Sequence, residues 1–117
     1  MPAQGRARFE KKFRLRVAAE FSQVFGYRRA VRGERFRLSY KPNSLGTARL
    51  GFVVARKHVR RAVWRNRIRR VAREVFRLER ENLPHLDLVL RVTSSLRDPE
   101  RTELRTEIAQ LLARLPK

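Results

Sequence analysis

Residues 17–27 carry large apolar side chains at Val17, Phe21, Val24 and Phe25, spaced four, three and one apart, which marks one face of a helix. Gly26 is its expected stop. The period then changes. Phe36, Leu38 and Tyr40 alternate with Arg35, Arg37, Ser39 and Lys41. Residues 28–41 therefore predict two strands with a turn at Arg32-Gly33-Glu34, the first set facing a core and the second an open face. After a loop at Pro42-Asn43-Ser44 and Gly46, residues 49–55 form a near-continuous apolar run, which predicts a central strand. Helical spacing returns over residues 62–81 and closes at Asn82-Leu83-Pro84. Residues 87–92 predict a short apolar strand, and 93–97 a loop. Asp98 is expected to cap a last helix with Pro99 at its first position, and Leu104, Ile108, Leu111 and Leu115 to line its buried face.

The order helix, strand, strand, strand, helix, strand, helix predicts a single α/β domain over residues 1–117, an α+β sandwich of a four-stranded sheet with helices packed on it. The third and fourth strands, joined by the long helix, should run parallel. Residues 1–14 form a loose basic start, expected to dock near Phe9 or Phe13. Its Arg6, Arg8, Lys11, Lys12 and Arg14 are candidates to track a phosphate backbone, or are simply a frayed terminus.

On a helical wheel with Trp64 at zero, Ile68, Val71, Ala72, Val75 and Leu78 fall within about 80° of it and make an apolar stripe. Asn66, Arg69, Arg70, Arg73, Arg77 and Arg80 fall between about 140° and 240°, on the opposite face. Arg65 and Arg67 flank the stripe. Like charges packed this closely weaken an isolated helix. A solvated helix face usually mixes signs, and this one hardly does.

Charge extends the pattern to the whole chain. Thirty Lys and Arg against eleven Asp and Glu leave a formal charge of +19 over 117 residues. Such a surface repels itself unless a polyanion neutralises it. Most of the excess is arginine, whose planar fork pairs with phosphate and stacks on bases, which favours nucleic acid over anionic membrane. A membrane binder would also need the apolar stripe that the core consumes. A DNA reader would place varied side chains at base edges, whereas this face offers arginine and one asparagine, better suited to folded RNA. Arg56, Lys57, Arg60 and Arg61 extend the basic face where a strand ends and a helix begins. If about six phosphates are neutralised, log K should fall with log salt at a slope near −4 to −5.

Other chemistries find little support. There is no cysteine, which removes disulfides and thiolate zinc sites. No stretch approaches the roughly 18 apolar residues of a membrane span, and the basic start lacks the apolar run of a secretory signal, so a soluble, unexported chain is expected. The two histidines, His58 and His85, are far apart in sequence and are expected to be a basic-loop residue and a surface residue rather than an acid–base pair. The acids are scattered. Asp87, at the start of a strand, reads as a turn or cap residue. No phosphate-cradling glycine loop or nucleophile elbow occurs. No catalytic residue and no metal ligand is therefore assigned.

The run from Ala55 to Arg77 closely resembles the signature of the bacterial ribonuclease P protein family: Arg65-Asn66-Arg67, then Ile68 and two basic residues, then Arg73-Glu74 and an aromatic. Asn43-Ser44-Leu45-Gly46 and Asn82-Leu83-Pro84 are similar to its proteobacterial branch. The resemblance covers roughly residues 21–92. It implies a protein subunit of ribonuclease P that binds the catalytic RNA and the 5′ leader of precursor transfer RNA in the bacterial cytoplasm. The RNA, with bound magnesium, would remove the leader, and the protein would hold no tightly bound cofactor. By position, Arg65, Asn66, Arg67, Arg69, Arg70 and Arg73 match the RNA-contacting motif. Lys57, and more loosely Arg56, Arg60 and Arg61, match the basic loop beside it. Phe21 and Phe25 match aromatics of the family's leader cleft, although that spacing equally suits a buried helix face. Where some relatives carry tyrosine on the cleft face, this chain carries Ser39, with Arg37 beside it, which implies a more electrostatic grip. The resemblance further implies a left-handed crossover between the parallel strands, contrary to the usual rule. A ribosomal-type RNA-binding protein is the alternative.

Overall fold

The alternation at residues 36–41 becomes an inner strand of a four-stranded mixed sheet. The structure is a computed structural model that describes residues 13–15 and 17–116. Its elements are α1 (Ala18–Tyr27), β1 (Arg29–Arg32), β2 (Phe36–Pro42), β3 (Arg49–Val53), α2 (Ala62–Glu79), β4 (Leu86–Val92) and α3 (Arg101–Ala113), with a 3-10 turn at Arg80–Asn82. The strands lie in the order β1-β2-β4-β3. Both β1–β2 and β2–β4 are antiparallel, and β3–β4, joined through α2, is parallel as expected. Phe9 and the basic residues Arg6, Arg8, Lys11 and Lys12 lie outside the described residues.

Register divides the sheet into two faces. Phe36, Leu38 and Tyr40 stand opposite Val92, Leu90 and Leu88, and Leu50 and Phe52 stand opposite Leu88 and Leu90. Directly opposed residues share a face, and this one packs with Ile68, Ala72 and Phe76 of α2 and Leu104, Ile108 and Leu111 of α3 in the main core. The other face carries α1 over a second, smaller cluster of Leu15, Val24 and Val89, with Phe21 and Val53 at its margin.

Several expectations change on the structure. The run at residues 49–55 is not a central strand; β3 ends at Val53 and lies at the edge of the sheet. It looks central because both its faces are covered and its outer edge is occupied. Arg14 bridges Leu50, and the Leu15 N–H donates to the Leu50 carbonyl at 3.1 Å. Phe13 docks as expected and is buried. α1 runs through Gly26, and the left-handed residue that ends it is Arg28, at φ 64°, whose N–H donates to the Phe25 carbonyl. On α1, only Val24 of the expected face is fully buried; Val17 and Phe25 are exposed. On α2, Leu78 is 63% exposed and Phe76 is buried, because the buried arc is centred nearer Val75 and Ile68 than Trp64. Asp98 does not cap α3. Its carboxylate is held by Arg67, and the cap position falls to Glu100, which makes no side-chain cap bond.

Two close approaches fix the helices on the sheet. Glu107 of α3 is buried against the β1–β2 turn. Its Oε2 accepts from the Arg35 and Phe36 N–H groups at 2.8 and 3.1 Å, and its Oε1 from Arg35 Nη1 at 2.9 Å. That bond and the neighbouring carboxylates outweigh burial and raise the Arg35 pKa. Gly33 leaves room for this carboxylate, because a Cβ there would meet it. On the opposite face, a Cβ at Gly51 would lie 2.6 Å from Cε1 of the Phe21 ring. Gly51→Ala is expected to push α1 outward and to cost about 1–3 kcal/mol in thermal unfolding. An unchanged melting temperature would show that α1 rides loosely on the sheet.

Candidate nucleic-acid interface

Local hydrogen bonds shape the turn between β3 and α2. The Ala55 carbonyl accepts from the His58 and Val59 N–H groups, and the Val59 side chain is buried. Arg65 reaches back from α2 and donates through Nη1 to the Val59 and Arg60 carbonyls, both at 2.9 Å. Arg67 turns the other way, donating to Asp98 Oδ1 at 2.8 Å and the Pro99 carbonyl at 2.9 Å. These two arginines hold the loops on either side of the start of α2, in addition to any contact they make with a ligand. A sequence motif does not distinguish an arginine that grips a loop from one that faces solvent.

The remaining basic side chains form an open strip. Arg56, Lys57, Arg60, Arg61, Asn66, Arg70 and Arg77 are exposed, and Arg69 and Arg73 are half-buried. Asn66 Oδ1 accepts from Arg69 Nη1 at 3.2 Å. Among the described residues, no carboxylate forms an ion pair with Arg69, Arg70, Arg73 or Arg77; the pairs formed use Arg35, Arg49 and Arg67. Arg73 lies with its guanidinium 5.4 Å from the centroid of Phe52, and its Nε is buried without a hydrogen-bond partner. Burial, with the charges of Arg14 and Arg69 adding to it, lowers its pKa. A cation held against other cations is stabilised by an outside anion.

Glu74 and Glu79 lie exposed on α2 itself, and the paired acids lie elsewhere. Asp87 is no turn residue: it is buried, takes Arg49 Nε and Nη2 on its two oxygens at 2.9 Å each, and accepts from Asn43 Nδ2 at 2.8 Å. Arg49 also donates to Glu20 of α1 at 3.0 Å, which ties α1 to the sheet. The hydrogen bond from Arg49 to Asp87 is the main cause of its raised pKa.

A second basic surface lies beside α1. Arg37 stands opposite Arg32 on one side and Arg91 on the other, so three arginines lie abreast on β1, β2 and β4. Like charges directly opposed cost stability, and the Arg37 Nε is buried without a partner. Phe25, 37% exposed, has the Arg91 guanidinium 5.7 Å from its ring centroid. Phe21 is half-buried against Gly51. Ser39 is 5% exposed on the sheet face that carries α1, so it lies beneath this surface rather than offering a contact. The sequence reading missed Arg32 and Arg91. The hairpin turn would have paired Arg32 with Arg37, but Arg91 joins them only through the long-range β2–β4 register.

The histidines do not meet. The Asn43 N–H donates to the His85 carbonyl at the start of β4, while the His58 carbonyl accepts from Leu96 beyond its end. A seven-residue strand, roughly 23 Å long, separates the two sites. Among the described residues, no three His, Asp or Glu side chains form a group that could hold a metal ion. Among the same residues, no helix is long and apolar enough to cross a membrane.

The ribonuclease P family profile matches residues 9–116. The chain belongs to the ribonuclease P protein family. It is 47% identical over 115 residues to the ribonuclease P protein component of Azoarcus sp. (strain BH72), covering 98% of this chain and 96% of the relative. With the corresponding component of Coxiella burnetii it shares 36% over 107 residues, 92% of this chain and 88% of that one. Among solved structures, the ribonuclease P protein of Thermotoga maritima superposes with a TM-score of 0.77 at 28% identity, covering 89% of this chain and 98% of that chain. The Staphylococcus aureus protein shares the fold, with a TM-score of 0.79 at 22% identity over 86% of this chain and 93% of that chain. As a ribonuclease P protein, the chain is a subunit of a transfer-RNA-processing endoribonuclease.

Proposed function

We propose that this ribonuclease P protein binds the catalytic RNA along α2 and the β3–α2 loop, and the 5′ leader of precursor transfer RNA along the arginine groove beside α1. The observation that carries the reading is the run of arginines at 69, 70, 73 and 77 without carboxylate partners among the described residues, continuous with Arg56, Lys57, Arg60 and Arg61. Phosphates are the natural counter-charges for such a strip, and guanidinium forks pair with them bidentately. Arg65 and Arg67 set the loops that flank it. In the groove, Arg32, Arg37 and Arg91 meet leader phosphates, and the rim of Phe25 offers a surface for a base to stack on. Phe21 positions α1 through its contact with Gly51.

Phosphodiester hydrolysis on this reading belongs to the RNA, whose bound magnesium supplies the chemistry, in the cytoplasm. The protein's cations replace part of the counter-ion atmosphere that magnesium otherwise provides. The test is reconstitution with a bacterial ribonuclease P RNA, titrating magnesium with and without protein. The protein should lower the magnesium needed for leader removal and should cut nothing when RNA is omitted. Cleavage by protein alone, lost in His58→Ala, would transfer the chemistry to the protein.

A further inference from the structure

The β3–α2 loop and the β4–α3 loop enclose a depression of about 510 Å³. Lys57, Arg60, Arg61 and Arg97 bring charge to it, and Trp64 and Leu96 bring apolar wall. Among the described residues, no carboxylate lines it. The neighbouring hollow towards α3 mixes signs, with Asp98, Glu100 and Glu103 among Arg35, Arg67, Arg97 and Arg101. The basic depression is preformed: the Leu96 N–H donates to the His58 carbonyl at 2.9 Å, Val59 plugs the core beneath, and Arg65 holds the Val59 and Arg60 carbonyls. The Trp64 indole is half-buried and packs against the core, with the Arg61 guanidinium 5.6 Å from its ring centroid.

A lone phosphate needs neither this volume, which lies in the ~300–1,000 Å³ range of small-molecule sites, nor an aromatic wall. A paired helix presents its phosphates but keeps its bases stacked inside. An extruded nucleotide satisfies both halves of the site, its base against the indole and its phosphates among the guanidinium and ammonium groups. We infer that this depression is a subsite for one unpaired nucleotide of the catalytic RNA. The RNA is chosen over the leader because Lys57, Arg60 and Arg61 continue the α2 strip, whereas the leader groove lies across the sheet on the α1 face. Arg97 and Trp64 thereby join the interface. The inference rests on the reading of the α2 strip as the catalytic-RNA surface.

Trp64 is the sole tryptophan of the chain, so its fluorescence reports on this site alone. Binding is followed independently by anisotropy of end-labelled RNA. Ribonuclease P RNA should quench Trp64, and a fully paired RNA duplex should bind without quenching it. Trp64→Leu should weaken ribonuclease P RNA binding about tenfold, within the range for loss of one stacked base. It should leave duplex binding unchanged. Trp64 also packs on the core, so Arg97→Gln gives the second variant: an exposed side chain with no hydrogen bond or ion pair among the described residues, expected to weaken binding of the same RNA by about threefold without changing the melting temperature. Normal binding of ribonuclease P RNA with Trp64 emission unchanged, or equal quenching by the duplex, would overturn the subsite alone. Failure of the wild-type protein to bind ribonuclease P RNA would overturn the assignment of the strip and the subsite with it.

Discussion

Replacing Arg69, Arg70, Arg73 and Arg77 together by glutamine is expected to weaken binding to ribonuclease P RNA on the order of a thousandfold at physiological salt, at roughly 1 kcal/mol for each charge-assisted contact. The salt dependence should change with it. Four phosphate contacts contribute about 3 to the slope of log K against log salt, so a wild-type slope near −4 to −5 should flatten to about −1 to −2. The fold should survive, because the described residues show no ion pair at these four side chains and the helix sheds like-charge repulsion. The melting temperature of the free protein should therefore hold or rise. A drop in affinity with the slope intact would mean that the arginines act through structure rather than by neutralising phosphate.

Glu107→Ala is expected to produce the largest loss of stability. The substitution leaves the Arg35 and Phe36 N–H groups without their acceptor and Arg35 without its closest carboxylate. Removing one partner of a buried charged pair costs about 3–5 kcal/mol, a large share of a domain stability of ~5–15 kcal/mol. Calorimetry should show the melting temperature falling by roughly 10–20 °C. Glu107→Gln retains an acceptor for the amides and should lose less. Glu107 lies on α3, away from the arginine strip, so the fraction that stays folded should bind RNA with the wild-type salt slope. A melting temperature within a degree or two of wild type would mean that the β1–β2 turn holds itself without α3.

What the sequence revealed follows from how local each signal is. The β2 alternation was legible because one face meets the core and the other carries arginines, a contrast that a window of seven residues contains. The arginine strip was legible because a helix writes its faces at a fixed spacing. The β3 run was misread for the opposite reason. Its apolar residues answer to Phe21, Leu15 and the main core, partners from three other segments, and apolar cover on both faces imitates a central strand. Asp98 was misread because two roles compete for one carboxylate, and Arg67, 31 residues earlier, takes it. The division of the arginines into loop-holding and outward-facing members is invisible locally, since Arg65 and Arg69 look alike in sequence. The groove suffered most. Arg37 was identified, but its companion Arg91 comes from a strand 54 residues further on and is brought to it by register alone.

The short stretch from Phe13 to Leu15 also sets how far this protein can be trimmed. It seals the rim of β3 with a backbone hydrogen bond and sends Leu15 into the small cluster under α1. A truncation that begins beyond Leu15 bares the edge of β3 at Leu50 and hollows out the support of α1. Such a rim is a template for pairing with its own kind, so the shortened chain should be more inclined to stack than the full one.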